Sequence, residues 1–305
     1  MTVDEVVARG LRHLASVQNV DGGWGYKAGG MDYVEPTAAS LIAFVVHDEA
    51  APDGAWRWLR RGQRPDGAWS VDAGGADPLG ASPRGGPSWM TAWAVWALAL
   101  GGEDRHAVDR GVQWLLQVPV FRVTDDATAE AMRRLLDLDP AAIGWPWQPG
   151  EASWVMPTAL AIIALNVAGQ GGATRVADGV AYLRDRVCAA GGWNFGNPVM
   201  IGRALPPQLP ETGVALLALR ACGASPNDPV VTKALSYMAA AARISTGPQE
   251  RAWAALGQCA WGASADGAEL ARTALQDPES AFGASVLALA LSVAALAPTE
   301  RLLGR

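Results

Sequence analysis

The sequence contains only three cysteines and three histidines among its 305 residues. The cysteines lie far apart in apolar or Ala/Gly-rich surroundings, at Cys188, Cys222 and Cys259. Their odd number and wide spacing argue against a disulfide framework and predict reduced, buried thiols in a cytoplasmic protein. No histidine shares a Cys/His spacing typical of a zinc site, so we expect no metal and no other cofactor.

Basic residues are few and dispersed. There are 24 Lys and Arg residues against 30 Asp and Glu residues, which gives a net charge of −6. Without a basic cluster, nucleic acid is not an expected partner. The chain does not open with a basic stretch before an apolar one, so no signal peptide is expected. The apolar run 281–297 is rich in alanine and favours a buried helix over a membrane span, which needs about 20 residues.

Glycine and tryptophan are abundant, with 35 and 14 copies, and they recur together. The segment Gln18–Thr37 reads QNVDGGWGYKAGGMDYVEPT, a glycine-rich turn followed by Trp24 and then by an apolar run. Related turns occur at Gln63–Trp69, Gly144–Trp147 and Gly191–Gly196. Trp24 and Trp69 are 45 residues apart, and Trp147 and Trp193 are 46 apart. Periods of this length indicate a repeat architecture.

Two kinds of predicted helix alternate between the turns. Helices with one polar face are predicted at 3–17, 53–61, 104–117, 174–187, 228–242 and 268–276. Helices that are apolar nearly all round are predicted at 37–47, 89–100, 157–167, 211–221, 249–261 and 279–296. A layer of half-exposed helices around a layer of buried helices is an all-α fold, an α/α toroid. We therefore predict one domain over residues 1–305, with about six inner and six outer helices.

The segment Thr124–Leu138 does not fit this alternation. It follows an outer-type helix and should be inner, yet it is amphipathic and precedes a turn, as outer helices do. We favour an outer position.

The sequence Gln18-x-x-Asp21-Gly-Gly-Trp24-Gly resembles the QW motif of the squalene–hopene cyclase and protein prenyltransferase superfamily. The fainter copies, and the helix openings Glu35-Pro-Thr-Ala, Met156-Pro-Thr-Ala and Glu211-Thr-Gly, extend the resemblance along the chain. The motif residues themselves favour a scaffold role, since a Gln amide can satisfy a helix end and a Trp can pack over the turn.

For the cyclases, the resemblance implies an Asp-x-Asp-Asp-Thr-Ala motif whose aspartic acid protonates an alkene or epoxide. The nearest match is Thr124-Asp125-Asp126-Ala-Thr-Ala, in which Asp126 corresponds to the proton donor and Asp125 is its neighbour. Two of the three acidic positions are missing. The alternative is a pair of acidic residues placed at a helix start by the helix dipole, which we favour. The zinc ligands of the prenyltransferases have no counterpart here.

The toroid itself suggests other candidates, because the inner helices of a toroid begin at one end and surround a central mouth. Glu35 and Glu211 would lie there, and burial would raise their pKa values toward those of useful acids or bases. Trp89, Trp93 and Trp96 fall on one helix face and, with Trp154, Met156 and Trp253, would bind substrate and stabilise a cation. The alternatives are hydrated carboxylates and ordinary core packing.

The resemblance implies a terpene-cyclase-like enzyme that acts on an apolar isoprenoid or polyene. Such cyclases have a second helical domain, and this chain is roughly half as long, so a partner domain or a peripheral membrane contact remains open. One alternative is a non-catalytic toroid that binds a lipid, a peptide or a partner protein. Another is an enzyme on a different substrate with Glu35 or Glu211 as general base.

Overall fold

The computed structural model describes residues 2–72, 86–262, 264–276 and 285–305. These residues form the helices α1 Val3–Ser16, α2 Val34–Val46, α3 Ala55–Arg61, α4 Ser88–Leu100, α5 Arg105–Gln117, α6 Asp126–Leu136, α7 Val155–Val167, α8 Thr174–Asp185, α9 Leu209–Ala221, α10 Pro229–Ile244, α11 Pro248–Cys259, α12 Ser264–Gln276, α13 Val286–Ala294 and α14 Thr299–Leu302. Two short antiparallel hairpins add β1 Trp145–Pro146 with β2 Ser153–Trp154, and β3 Val199–Met200 with β4 Arg203–Ala204.

Six apolar helices form a closed inner ring. Each inner helix contacts the next one in the order α2, α4, α7, α9, α11 and α13, and α13 contacts α2 to close the ring. Helices α1, α3, α5, α8, α10 and α12 pack against the outside of this ring. The amphipathic pattern explains the split, since α1 buries Val6, Leu11 and Leu14 and leaves its other face in water. The predicted all-α toroid with six inner and six outer helices is therefore confirmed.

Two helices show the largest differences between predicted and observed boundaries. Helix α12 begins at Ser264, four residues before the predicted start at Ala268. Helix α13 spans Val286–Ala294, within the predicted range 279–296, and residues 279–284 of that prediction lie outside the described residues. Within the described part of the chain, no helix is both long and apolar enough to cross a membrane.

One hydrogen-bonding arrangement recurs in four repeats and ties the two layers together. A buried tryptophan donates its backbone N–H to a buried threonine of the next inner helix, at 2.7 to 3.0 Å. Its indole N–H donates to a leucine carbonyl of an outer helix, at 2.6 to 2.8 Å. The tryptophans are Trp24, Trp69, Trp145 and Trp193, the threonines are Thr37, Thr91, Thr158 and Thr212, and the leucines are Leu14, Leu59, Leu115 and Leu183.

The motif glutamines have the scaffold role expected of them. The Nε2 of Gln63 donates to the carbonyl oxygens of Gly67 and Ala107, and so joins a turn to the start of the next outer helix. Gln18 makes the same pair of contacts with Gly22 and Asp53.

The third repeat is organised differently from the sequence prediction, because its structural tryptophan is Trp145 rather than Trp147. Trp145 is fully buried and makes the recurring bonds, whereas the ring of Trp147 packs edge-on against Trp89, with 4.9 Å between centroids. The repeat interval to Trp193 is accordingly 48 residues.

Helix α6 belongs to an insertion. Three of the recurring indole–leucine bonds join residues 10 apart, but Leu115 and Trp145 are 30 apart, so the third repeat holds 20 extra residues. Helix α6 lies within them, buries none of its residues and packs against β3. The segment Thr124–Leu138 is therefore part of an exposed insertion that packs against the hairpin before α9, which explains why it did not fit either helix type.

The two ends of the ring differ. At the carboxyl ends of the inner helices, α14 contacts α2, and the indole N–H of Trp96 donates to the carbonyl of Leu302 at 3.0 Å. Each outer helix returns the chain to the opposite end, so the inner helices start together there. The residues at these starts form the mouth of the toroid.

Candidate functional site at the mouth of the toroid

Glu35 is the most distinctive carboxyl group of the mouth. It lies in the first turn of α2, and Tyr26 donates its hydroxyl to Glu35 Oε2 at 2.5 Å. The indole N–H of Trp93 on α4 donates to Oε1 at 3.1 Å. Loss of hydration raises the pKa of Glu35 above its usual value, and the bonds from Tyr26 and Trp93 lower it in part. Glu35 is thus held in place and biased toward its neutral, acidic form.

The contact with Glu35 also changes the pKa of Tyr26. Burial and the neighbouring carboxyl group of Glu35 raise the pKa of the Tyr26 phenol, so it stays protonated and acts as a donor. Sequence analysis did not single out Tyr26, although it follows Trp24 within the first motif and lies only nine residues before Glu35.

Three of the predicted aromatic residues form a packed layer below Glu35. Trp93 stacks on Trp96 with 5.2 Å between ring centroids, and it contacts Trp253 at 6.0 Å. All three are at most 1 % exposed. They fill the interior of the ring, so the ordinary core-packing alternative describes Trp96 and Trp253, whereas Trp93 also holds the carboxyl group of Glu35.

The other predicted binding residues lie at the rim of the mouth. Trp89, Trp154 and Met156 are partly exposed at the starts of α4 and α7. The edge-on contact of Trp147 with Trp89 fixes one of these rings. A partly exposed aromatic rim next to a carboxyl group with a raised pKa suits an apolar ligand better than a strongly charged one.

Glu211 is the second carboxyl group among the predicted mouth residues. It lies in the first turn of α9 and is 5 % exposed. Loss of hydration raises its pKa, and the nearby carboxylate of Glu250 adds to the rise. Helices α2 and α9 are three places apart in the ring of six, so Glu35 and Glu211 belong to opposite sides of the inner layer.

Asp125 and Asp126 lie at the exposed start of α6. Asp125 caps the helix by accepting the backbone N–H of Thr128 at 2.8 Å, and this bond lowers its pKa. Water surrounds these side chains, whereas alkene protonation needs a dry, neutral acid. The placement favours the alternative already given for the pair, acidic residues at a helix start.

Among the described residues, no group of three or more His, Cys, Asp or Glu side chains is arranged to hold a metal ion.

Comparison with known proteins supports the fold described above. The model of the squalene–hopene cyclase C-terminal domain matches residues 2–124, which include Glu35 and the first two motifs. The resemblance to the squalene–hopene cyclase superfamily is confirmed. No curated protein matches the chain.

Solved structures share the whole terpene-cyclase-like fold. The type II terpene cyclase MstE from Scytonema is 14 % identical, with a TM-score of 0.60, and the match covers 99 % of this chain and 98 % of that one. A variant of MstE in complex with its substrate geranylgeranyl dihydroxybenzoate is 15 % identical, with a TM-score of 0.62 and 98 % of each chain covered.

The same toroid also occurs in a protein described as an alpha-amylase from Clostridium perfringens. That structure is 6 % identical, with a TM-score of 0.64, and the match covers 95 % of this chain and 97 % of that one. The fold alone therefore does not fix the reaction, which must be argued from the side chains of the mouth.

Proposed function

We propose that this chain is a class II terpene-cyclase-like enzyme that cyclises a prenylated, apolar substrate at the mouth of the toroid. The observation that carries the proposal is Glu35, a partly buried carboxyl group with a raised pKa, held by Tyr26 and Trp93. The resemblance to squalene–hopene cyclases and the fold shared with MstE support it.

In this mechanism the neutral carboxyl group of Glu35 transfers its proton to a terminal alkene or epoxide of the substrate. The π electrons of the alkene form the new C–H bond, and a carbocation develops at the neighbouring carbon. Attack by further double bonds closes the rings. Loss of a proton from the final cation then forms a new double bond, so substrate and product are isomers, and Glu35 is reprotonated from solvent.

The other predicted residues take supporting roles. Ring faces of Trp89 and Trp154 would stabilise the cation by about 1–2 kcal/mol each when desolvated, and Met156 would add apolar contact. Glu211 would accept the final proton, because its own carboxylate is poorly hydrated and therefore more basic than usual. We assign the acid role to Glu35 in preference to Asp126, because Asp126 is exposed.

The second candidate is a non-catalytic toroid that binds an apolar ligand at its rim. The dense packing of Trp93, Trp96 and Trp253 favours it, because these rings fill the interior of the ring. An enzyme on another substrate, with Glu35 or Glu211 as base, is the third candidate.

Turnover separates these functions. The purified chain is incubated with geranylgeranyl dihydroxybenzoate, and products of unchanged mass are sought by chromatography and mass spectrometry. We expect cyclised isomers, a loss of at least about 100-fold for Glu35→Gln, and near-normal rates for Glu130→Gln, an exposed control. Binding without turnover would favour the non-catalytic toroid. Full activity in a folded Glu35→Gln variant would remove Glu35 from the mechanism.

A further inference from the structure

A cavity lies in the wall of the toroid, between one inner helix and two outer helices. It has a volume of about 150 Å³ and is enclosed by α10, α11 and α12, with Gln258 at its buried end. Arg243, Glu269 and Thr273 lie at its exposed end, so the cavity opens to solvent.

The cavity faces outward from the ring. Trp253 on α11 points into the interior, where it contacts Trp93. Gln258 is five residues further along the helix, and at 3.6 residues per turn it lies about 140° away around the axis. Arg251 lies two residues before Trp253 and about 160° away. Arg251 and Gln258 therefore share the outer face of α11, and a ligand here would lie on the opposite side of the helix from Trp253.

Gln258 is the strongest sign of a ligand. The residue is 1 % exposed, and neither its Nε2 nor its Oε1 has a hydrogen-bond partner among the described residues. A buried amide without partners is unfavourable and uncommon, because both groups lose their bonds to water and gain none in return. A ligand that supplies one donor and one acceptor would satisfy both atoms.

Arg251 adds a charged donor along the same wall. Its Nε is buried and, within the described part of the chain, also lacks a partner. Seven residues separate it from Gln258, which is about 10 Å of helix rise. Glu269, the acidic residue of the wall, is paired with Arg272 and so does not neutralise Arg251. The wall therefore favours an anion near Arg251.

We propose that this cavity is a binding site for a small organic carboxylate that also carries an amide or hydroxyl group. The carboxylate pairs with the guanidinium of Arg251, and the amide or hydroxyl group bonds the side chain of Gln258. The volume exceeds the roughly 30 Å³ that one water occupies in the liquid, so it has room for such a molecule.

The test uses the full chain labelled with ¹⁵N and N-acetylglycinate as the probe. The side-chain amide signal of Gln258 is assigned by its loss in Gln258→Met, which removes both unsatisfied atoms at similar volume. We expect this signal to shift saturably with the probe and not with sodium chloride at equal ionic strength. Arg251→Gln should weaken binding by about tenfold or more.

Arg105→Gln, which changes an exposed arginine of α5, is the matched control and should bind as the wild type does. A shift that rises linearly without saturation would show that only water occupies the cavity and would overturn the proposal. Equal affinity in wild type, Gln258→Met and Arg251→Gln, measured by calorimetry, would overturn it as well.

Discussion

The indole N–H of Trp93 donates to Oε1 of Glu35 at 3.1 Å, and this bond joins the first two inner helices at the mouth. The same indole ring stacks on Trp96 and contacts Trp253. The position of the proposed acid is therefore set by the packed aromatic layer beneath it. A conservative substitution in that layer should change the pKa of Glu35 while the fold is retained.

Replacing Trp93 with phenylalanine should raise the pKa of Glu35 further. The indole bond stabilises the charged carboxylate, so its loss favours the neutral acid. An acid catalyst loses activity as pH rises through its pKa, so the fall in kcat/KM should move to higher pH in Trp93→Phe. Titration of the ¹³C-labelled glutamate carboxyl group should show the same upward shift without any turnover assay.

Trp96→Phe is the matched control for this prediction. Its indole bonds the carbonyl of Leu302 and not Glu35, while the side-chain volume removed is the same. The Glu35 titration in this variant should follow the wild type. Identical titration curves for both variants and the wild type would show that the Trp93 bond does not tune Glu35.

The recurring threonines should contribute to stability in every repeat. Thr91→Val keeps the shape of the side chain but leaves the buried backbone N–H of Trp69 without its acceptor at 3.0 Å. The lost bond should lower the free energy of unfolding by about 1–3 kcal/mol. Urea denaturation measures this loss. The exposed Thr232→Val should change stability by less than about 0.5 kcal/mol, and an equal loss in both variants would contradict the assigned role.

The layered fold could be predicted from the sequence because the same pattern of turn and helices recurs in several repeats. Each buried inner helix is apolar nearly all round, and each outer helix has one wet face, so the two layers are visible in the periodicity alone. Trp145 was missed because Trp147, two residues later, gives an equally plausible interval. The bonds of Trp145 to Leu115, 30 residues earlier, and to Thr158 distinguish the two.

The candidate site was less predictable. Glu35 and Glu211 could be found because helix starts converge in a toroid. The role of Tyr26 depends on the conformation of the loop between Trp24 and α2, which brings its hydroxyl to Glu35. The spacing of residues in the sequence does not predict that conformation. Asp126 matches a motif, but its exposure follows from the 20-residue insertion that carries α6, and a local motif does not report burial.

Asp126→Asn should leave turnover within about twofold of wild type, because a hydrated carboxylate on α6 has no dry contact with the mouth. The measurement is kcat/KM with the same prenylated substrate used for Glu35→Gln. Asp125→Ala should remove the helix cap and destabilise α6 by about 1 kcal/mol. A drop of about 100-fold or more in a folded Asp126→Asn variant would instead return the acid role to α6.

The first motif contains a carboxyl pair that should make stability depend on pH. Asp32 is 9 % exposed, and burial together with its bond to Asp21 raises the pKa of Asp32 to about 7. The same bond holds the pKa of Asp21 below its usual value. Asn19 donates to Asp32 at 2.5 Å, and the indole of Trp58 donates to Asp21 at 3.0 Å. Arg61 supplies the nearby positive charge.

The raised pKa of Asp32 determines how the free energy of unfolding changes with pH. In the folded chain Asp32 prefers its proton, so its contribution is complete below the ordinary pKa of about 4 and is lost as pH rises toward about 7. Asp32→Asn cannot ionise and should be more stable than wild type at pH 8, by on the order of 1 kcal/mol. The difference should shrink at pH 4 in urea denaturation. The exposed Asp53→Asn should follow the wild-type profile, and a wild-type profile that is flat from pH 4 to about 8 would show that the pair does not share a proton.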